Sequence, residues 1–209
     1  GFIGDVPRLA ILNETIRNLY FHVPMWFSMT TFLLIAIIYS IKFLRSGNLL
    51  HDRIAVEFTR TGMFFGILGL LTGMMWAKFT WGTFWTKDPK LNAAAIAMLI
   101  YTAYMILRDA IADEDKRARI TAVYNIFAFP AFMALIYIMP RLTDSLHPGN
   151  GGNPGFNGYD RDHQMNMIFY SSIIGFILLG TWITTLRIRL RMWADKKDGL
   201  IIDTKKHDS

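Results

Sequence analysis

Five stretches of this chain run for 17 to 23 residues without a single charge: 23–41, 61–77, 91–107, 120–140 and 164–186. A helix of about 20 residues, rising ~1.5 Å per residue, crosses the roughly 30 Å hydrocarbon core of a bilayer. No water is present there to satisfy backbone N–H and C=O groups, so only helices and closed barrels span it. Uninterrupted apolar runs of this length specify helices, because a barrel strand alternates apolar and polar residues. The expected fold is an all-α integral membrane protein, a single helical-bundle domain over residues 1–209 with five spans. The chain begins at Gly1 rather than Met, and a sixth span is expected to precede it.

With 53% hydrophobic and only 18% charged residues, disorder is excluded and an ordinary water-soluble domain disfavoured. The net charge of +6 does not point to nucleic acid, because the Lys and Arg residues flank the apolar runs. Connections 42–60, 108–119 and 187–209 carry 15 of them, against 7 in segments 1–21, 78–90 and 141–163. By the positive-inside rule the first group faces the cytoplasm and the second lies outside. There is no cysteine, so disulfides and thiolate metal sites are ruled out.

Several features have structural readings. Gly62, Gly66, Gly69 and Gly73 share one helical face, where small residues admit a neighbouring helix; packing is favoured there over a ligand role. Pro24 is placed in the first turn of its helix, where a missing N–H costs little. Pro130, in mid-span, predicts a kink. The Asp88-Pro89 pair reads as an N-cap followed by proline at the first helical position. Arg108 to Arg119 reads as a solvated connection. Arg187 onward reads as a basic amphipathic stretch, and the Gly/Asn/Pro-rich segment 148–158 as turns within a long loop.

The chemistry concentrates between the second and third spans, in Trp81-Gly-Thr-Phe84-Trp85-Thr-Lys87-Asp88-Pro-Lys90. An aromatic belt collects at that depth in any membrane protein. The alternative is an aromatic seat for a planar apolar ligand, formed by Trp81, Phe84 and Trp85. His22 and His147 favour the second reading. They lie far apart in sequence, yet both are expected at outer membrane ends, and each is followed closely by proline. Neutral imidazole is a common axial ligand of haem iron. Lys78, Lys87, Lys90, Arg17, Arg141 or Arg161 can meet its propionates. His163 is a reserve ligand on the same side, whereas His51 and His207 fall on the other.

The same residues carry a family resemblance. The stretch Trp81 to Lys90 resembles the tryptophan-rich signature of haem-handling proteins of cytochrome c biogenesis. His22, in Phe-His-Val-Pro-Met, and His147, in Ser-Leu-His-Pro-Gly, resemble their two external histidines. Length and motif placement are most similar to the haem-exporter C family of cytochrome c maturation, over nearly the whole chain. Two departures are visible. Lys87 stands where the family usually has a third tryptophan, and five spans are seen where six are typical.

The resemblance implies a non-enzymatic haem handler of the bacterial inner membrane. It implies haem b held transiently and without a covalent bond at the periplasmic face. His22 and His147 would be the iron ligands, with Trp81, Phe84, Trp85, Asp88 and Lys90 contacting the cofactor. The implied partners are a membrane-anchored haem chaperone and the ATPase and permease subunits of an ABC-type complex, any ATP hydrolysis being the partner's. Two other classes stay open: a haem b electron-transfer anchor, and a cofactor-free permease or assembly subunit.

Overall fold

The computed structural model describes residues 6, 12–147 and 162–197, and these are mostly helical with no strand among them. A 3₁₀ turn, Asn13–Asn18, leads into α1 (Leu19–Ser46). Then come α2 (Leu49–Trp81), α3 (Pro89–Ala110) and α4 (Glu114–Met133). A π-helical segment, Ala134–Ile138, joins α4 to the single turn α5 (Met139–Leu142), and α6 (His163–Lys197) closes the described chain. Five of the resulting helices are long and apolar enough to cross a membrane. The chain is an all-α membrane protein.

Helix α1 is central, packing most extensively on α2 and also on α6 and α4, while α3 lies against α4. The core is built from Met29, Phe32 and Leu33 of α1, Phe65 of α2, Ala97 and Tyr101 of α3, and Phe132 of α4. The glycine ladder seats α1 on α2: a Cβ on Gly66 would lie 2.5 Å from the Met29 sulfur, and one on Gly62 3.2 Å from Leu33. Gly180 gives α6 the same closeness, since a Cβ there would run into the Phe32 ring. Large apolar side chains such as Phe64, Leu71, Leu99, Phe127 and Leu178 point outward. That is the arrangement a lipid-facing surface needs, because association inside a bilayer relies on close packing rather than on burial from water.

The helices outrun the apolar stretches, and the reason is charge pairing. The connection expected over 42–60 shrinks to two residues, Gly47 and Asn48, with Gly47 in the left-handed region (φ 67°) and the Asn48 side chain capping α2. The charges that follow are helical and partnered. Asp52 accepts from Arg108 at 2.8 Å, and Arg53 pairs with Asp195 at 3.0 Å. Arg108, expected in a solvated connection, is therefore buried at the end of α3, where it also donates to Thr121 of α4. The basic stretch after 186 continues as α6 to Lys197, Arg187 donating to Glu57 at 2.7 Å.

Two more expectations are corrected. Pro24 is not in the first turn but in the interior of α1, which starts five residues earlier because Ile16 and Tyr20 pack on Met165 and Phe169 of α6. The aromatic connection is also shorter than 78–90. Helix α2 runs through Trp81 and stops at Gly82 (φ 80°), whose carbonyl accepts from the Lys78 ammonium. Asp88 does cap α3 ahead of Pro89, accepting from the Lys90 and Leu91 N–H groups. Pro130 removes one backbone donor within α4, and the π-helical turns follow directly after it.

Candidate functional site

At the end of the bundle away from the paired charges, α1, α2, α3 and the π-helical segment enclose a cavity of about 180 Å³. His22 and His147 both line it. His22 is the fourth residue of α1, and its Nδ1 lies 2.9 Å from the Gly69 carbonyl and 3.3 Å from the Thr72 hydroxyl. Gly73 makes room for the ring, since a Cβ there would stand 2.7 Å from its Cε1. Trp26 and Trp76 meet it edge-on, with centroids 6.4 and 6.0 Å away. The imidazole is thus held on its Nδ1 side.

His147 is anchored by the same logic from a different element. The N-cap carboxylate Asp88 accepts from the His147 Nδ1 at 3.0 Å, from the Leu146 N–H at 2.7 Å and from the Ser145 hydroxyl at 2.8 Å. One buried carboxylate therefore both starts α3 and pins the chain from Ser145 to His147 against it. Burial alone raises the Asp88 pKa. The bonds from His147, the Leu146 N–H and Ser145 outweigh burial and hold the carboxyl below the usual range. A carboxylate on one imidazole nitrogen fixes the ring orientation and tautomer, so that the other nitrogen carries the lone pair able to bind a metal.

The aromatic stretch is divided. The Trp81 ring meets His147 edge-on at 4.8 Å between centroids. Phe84 and Trp85 are 52% and 38% exposed and lie outside the cavity lining. The Trp85 indole donates to Asn92 at 3.2 Å, and Lys78 sits over the Phe84 ring. The aromatic walls of the cavity are instead Trp26 and Trp76, which sequence reasoning passed over. Their signal was spacing: Trp26 is one helical turn beyond His22, and Trp76 is three residues beyond Gly73.

Of the cations considered for an acidic rim, Lys90 and Arg141 line the cavity. Lys78 is bonded at Gly82, Arg17 pairs with Glu14, Lys87 is exposed, and Arg161 and His207 lie outside the described residues. His163 starts α6, exposed and outside the lining; His51 sits at the opposite end beside Ser46. Tyr137 completes the wall from the π-helical segment, its hydroxyl 2.7 Å from that of Thr30.

The donor set suits a metal held in a macrocycle. Among the described residues no three His, Asp or Glu side chains converge on a bare ion. Two imidazoles with Nδ1 engaged, apolar indole walls and two cations at one cavity fit a porphyrin, which brings four nitrogens of its own. The cavity is smaller than the ~300–1,000 Å³ typical of sites that enclose a drug-sized ligand.

A sequence model of the family described as heme exporter protein C matches residues 6–202. The heme exporter protein C of Rhodobacter capsulatus is 26% identical over 202 residues, covering 93% of this chain and 80% of that protein. That of Escherichia coli K12 is 25% identical over 196 residues (90% and 75%), and that of Haemophilus influenzae 24% over 193 (86% and 72%).

Proposed function

The chain belongs to the heme exporter protein C family, and on that premise we propose that it holds haem for cytochrome c maturation between His22 and His147. The observation that carries this reading is that these two histidines line one cavity, each with Nδ1 already hydrogen-bonded. Bound haem supplies an iron with two open axial positions, and the two Nε2 atoms would fill them. Lys90 and Arg141 would meet the propionates. Trp26 and Trp76 would flank the part of the ring inside the cavity. Because the cavity is small, the rest of the macrocycle would lie outside, over Trp81, Phe84 and Trp85 next to His147. Asp88 would act on haem through His147 rather than by contact.

A half-enclosed, non-covalent haem b is suited to being handed on. The receiver in this reading is a membrane-anchored haem chaperone, with ATPase and permease subunits of an ABC-type complex alongside. The site would face the periplasm, on the side of an inner-membrane protein that carries the fewer Lys and Arg residues.

Co-expression with such a chaperone tests the reading. His22→Ala and His147→Ala should each abolish chaperone-bound haem while the variant protein remains in the membrane. Trp81→Ala and Trp85→Ala should lower haem retention, since stacking and burial of an indole contribute on the order of one to a few kcal/mol. Normal chaperone loading by both histidine variants would refute the proposal.

A further inference from the structure

At the opposite end of the bundle, three guanidiniums converge on one buried carboxylate. Glu57 of α2 accepts from Arg60 at 2.7 Å, Arg187 at 2.7 Å and Arg191 at 3.3 Å. These four residues and Leu190 line a second cleft of about 300 Å³ between α2 and α6. The neighbouring charges do not balance it. Arg53 is taken by Asp195 and Glu114, Arg108 by Asp52, and Arg117 by Glu114. Across this whole cluster six arginines face four carboxylates, and the excess of two positive charges sits at the cleft. Each guanidinium carries five N–H donors in a planar fork, and Glu57 takes one from each. Forks of this kind match the oxygens of a phosphate.

The depth of the cleft and its outer wall say which phosphate. Arg60 and Arg187 directly flank the uncharged runs 61–77 and 164–186, which is headgroup depth. Along α6, Trp182, Leu186, Leu190 and Trp193 are 41–66% exposed and continue the cleft as an apolar face. Trp193 lies under the Lys197 ammonium, an arrangement fitted to the interface. We infer that the Arg60–Arg187–Arg191 cleft binds the phosphodiester of an anionic phospholipid, whose acyl chains lie along the exposed face of α6. A basic pocket between spans is a fitting receptor for such a headgroup. This inference rests on the membrane-spanning fold and not on haem binding.

Native mass spectrometry of the full-length protein released from nanodiscs tests it. From phosphatidylcholine mixed with phosphatidylglycerol, the wild type should retain one phosphatidylglycerol and gain thermal stability. Phosphatidylcholine alone, or inorganic phosphate added to it, should give neither effect. Arg187→Gln with Arg191→Gln should weaken retention by roughly tenfold or more. Removing the same charge at the exposed Arg119 and Arg189 should leave retention unchanged. Equal loss in both pairs would mean diffuse attraction to basic residues and overturn the site. Stabilisation by inorganic phosphate alone would overturn the lipid assignment. The wild-type comparison across lipids stands even if the double variant fails to fold, and a wild type indifferent to phosphatidylglycerol would end the proposal.

Discussion

Asp88 accepts five hydrogen bonds, and its carboxylate is the acceptor for two separate elements. Its depressed pKa sets a sign. A carboxyl whose folded pKa lies below its unfolded value of ~3.9 stabilises fully above that value and loses the contribution only as pH falls through the folded pKa. The link between Asp88 and the 145–147 segment should thus be no weaker at pH 5 than at pH 7. Amide exchange at Leu146, corrected for its intrinsic rate, should show no loss of protection from pH 7 to pH 5 in the wild type and lose it in Asp88→Ala. Protection that fades between pH 7 and 5 would contradict the assignment. Haem affinity in Asp88→Asn should fall about 10- to 100-fold, as for other partners that orient a ligating histidine.

Gly73 allows a second test on the same scale. Gly73→Ala drives a methyl to 2.7 Å from the His22 ring, so the ring must move and haem retention should drop. Gly175→Ala, where nothing lies within 4 Å, should leave haem untouched and gain up to ~1 kcal/mol of helix stability. Equal haem occupancy in the two variants would show that the seat of His22 does not matter.

Among the elements, the paired charges at the start of α2 decide where the helices end. Arg108 of α3 is 3% exposed and bonds both Asp52 of α2 and Thr121 of α4, tying three helices at one point. Removing one partner of such a pair leaves the other uncompensated, at a cost of about 3–5 kcal/mol. Asp52→Ala should therefore lower the midpoint of thermal unfolding in detergent far more than Asp109→Ala, an exposed carboxyl on the same helix as Arg108. This is also where the sequence was least informative. Uninterrupted apolar runs announce spans, because hydrocarbon tolerates little else. That Asp52, Glu57 and Arg187 sit inside helices is a fact about their partners on other helices. The N-cap at Asp88 could be read locally, since Asp-Pro carries its own backbone geometry, but its bonds to Ser145, Leu146 and His147 could not. The same holds for Trp26 and Trp76, whose position beside His22 depends on α1 packing against α2 through Gly69 and Gly73.

For the molecule as a whole, the two ends of the bundle differ in kind: one bears an aromatic cavity with two histidines, the other a lattice of arginines and carboxylates. In the proposed orientation the second end, richer in Lys and Arg, would face the cytoplasm. A cysteine at Thr83 should react with an impermeant thiol reagent added outside the cell, and one at Asp113 should not. Labelling of Asp113 alone would invert the molecule and place the cavity on the wrong side for a periplasmic chaperone. The central claim is tested most directly on the iron. Pulsed electron paramagnetic resonance of the oxidised haem-loaded protein should detect two axial imidazole nitrogens, one of them lost in His22→Ala and the other in His147→Ala. The double variant should retain no low-spin haem. A double variant with an unchanged low-spin signal would contradict the account and move the ligands elsewhere, His163 first.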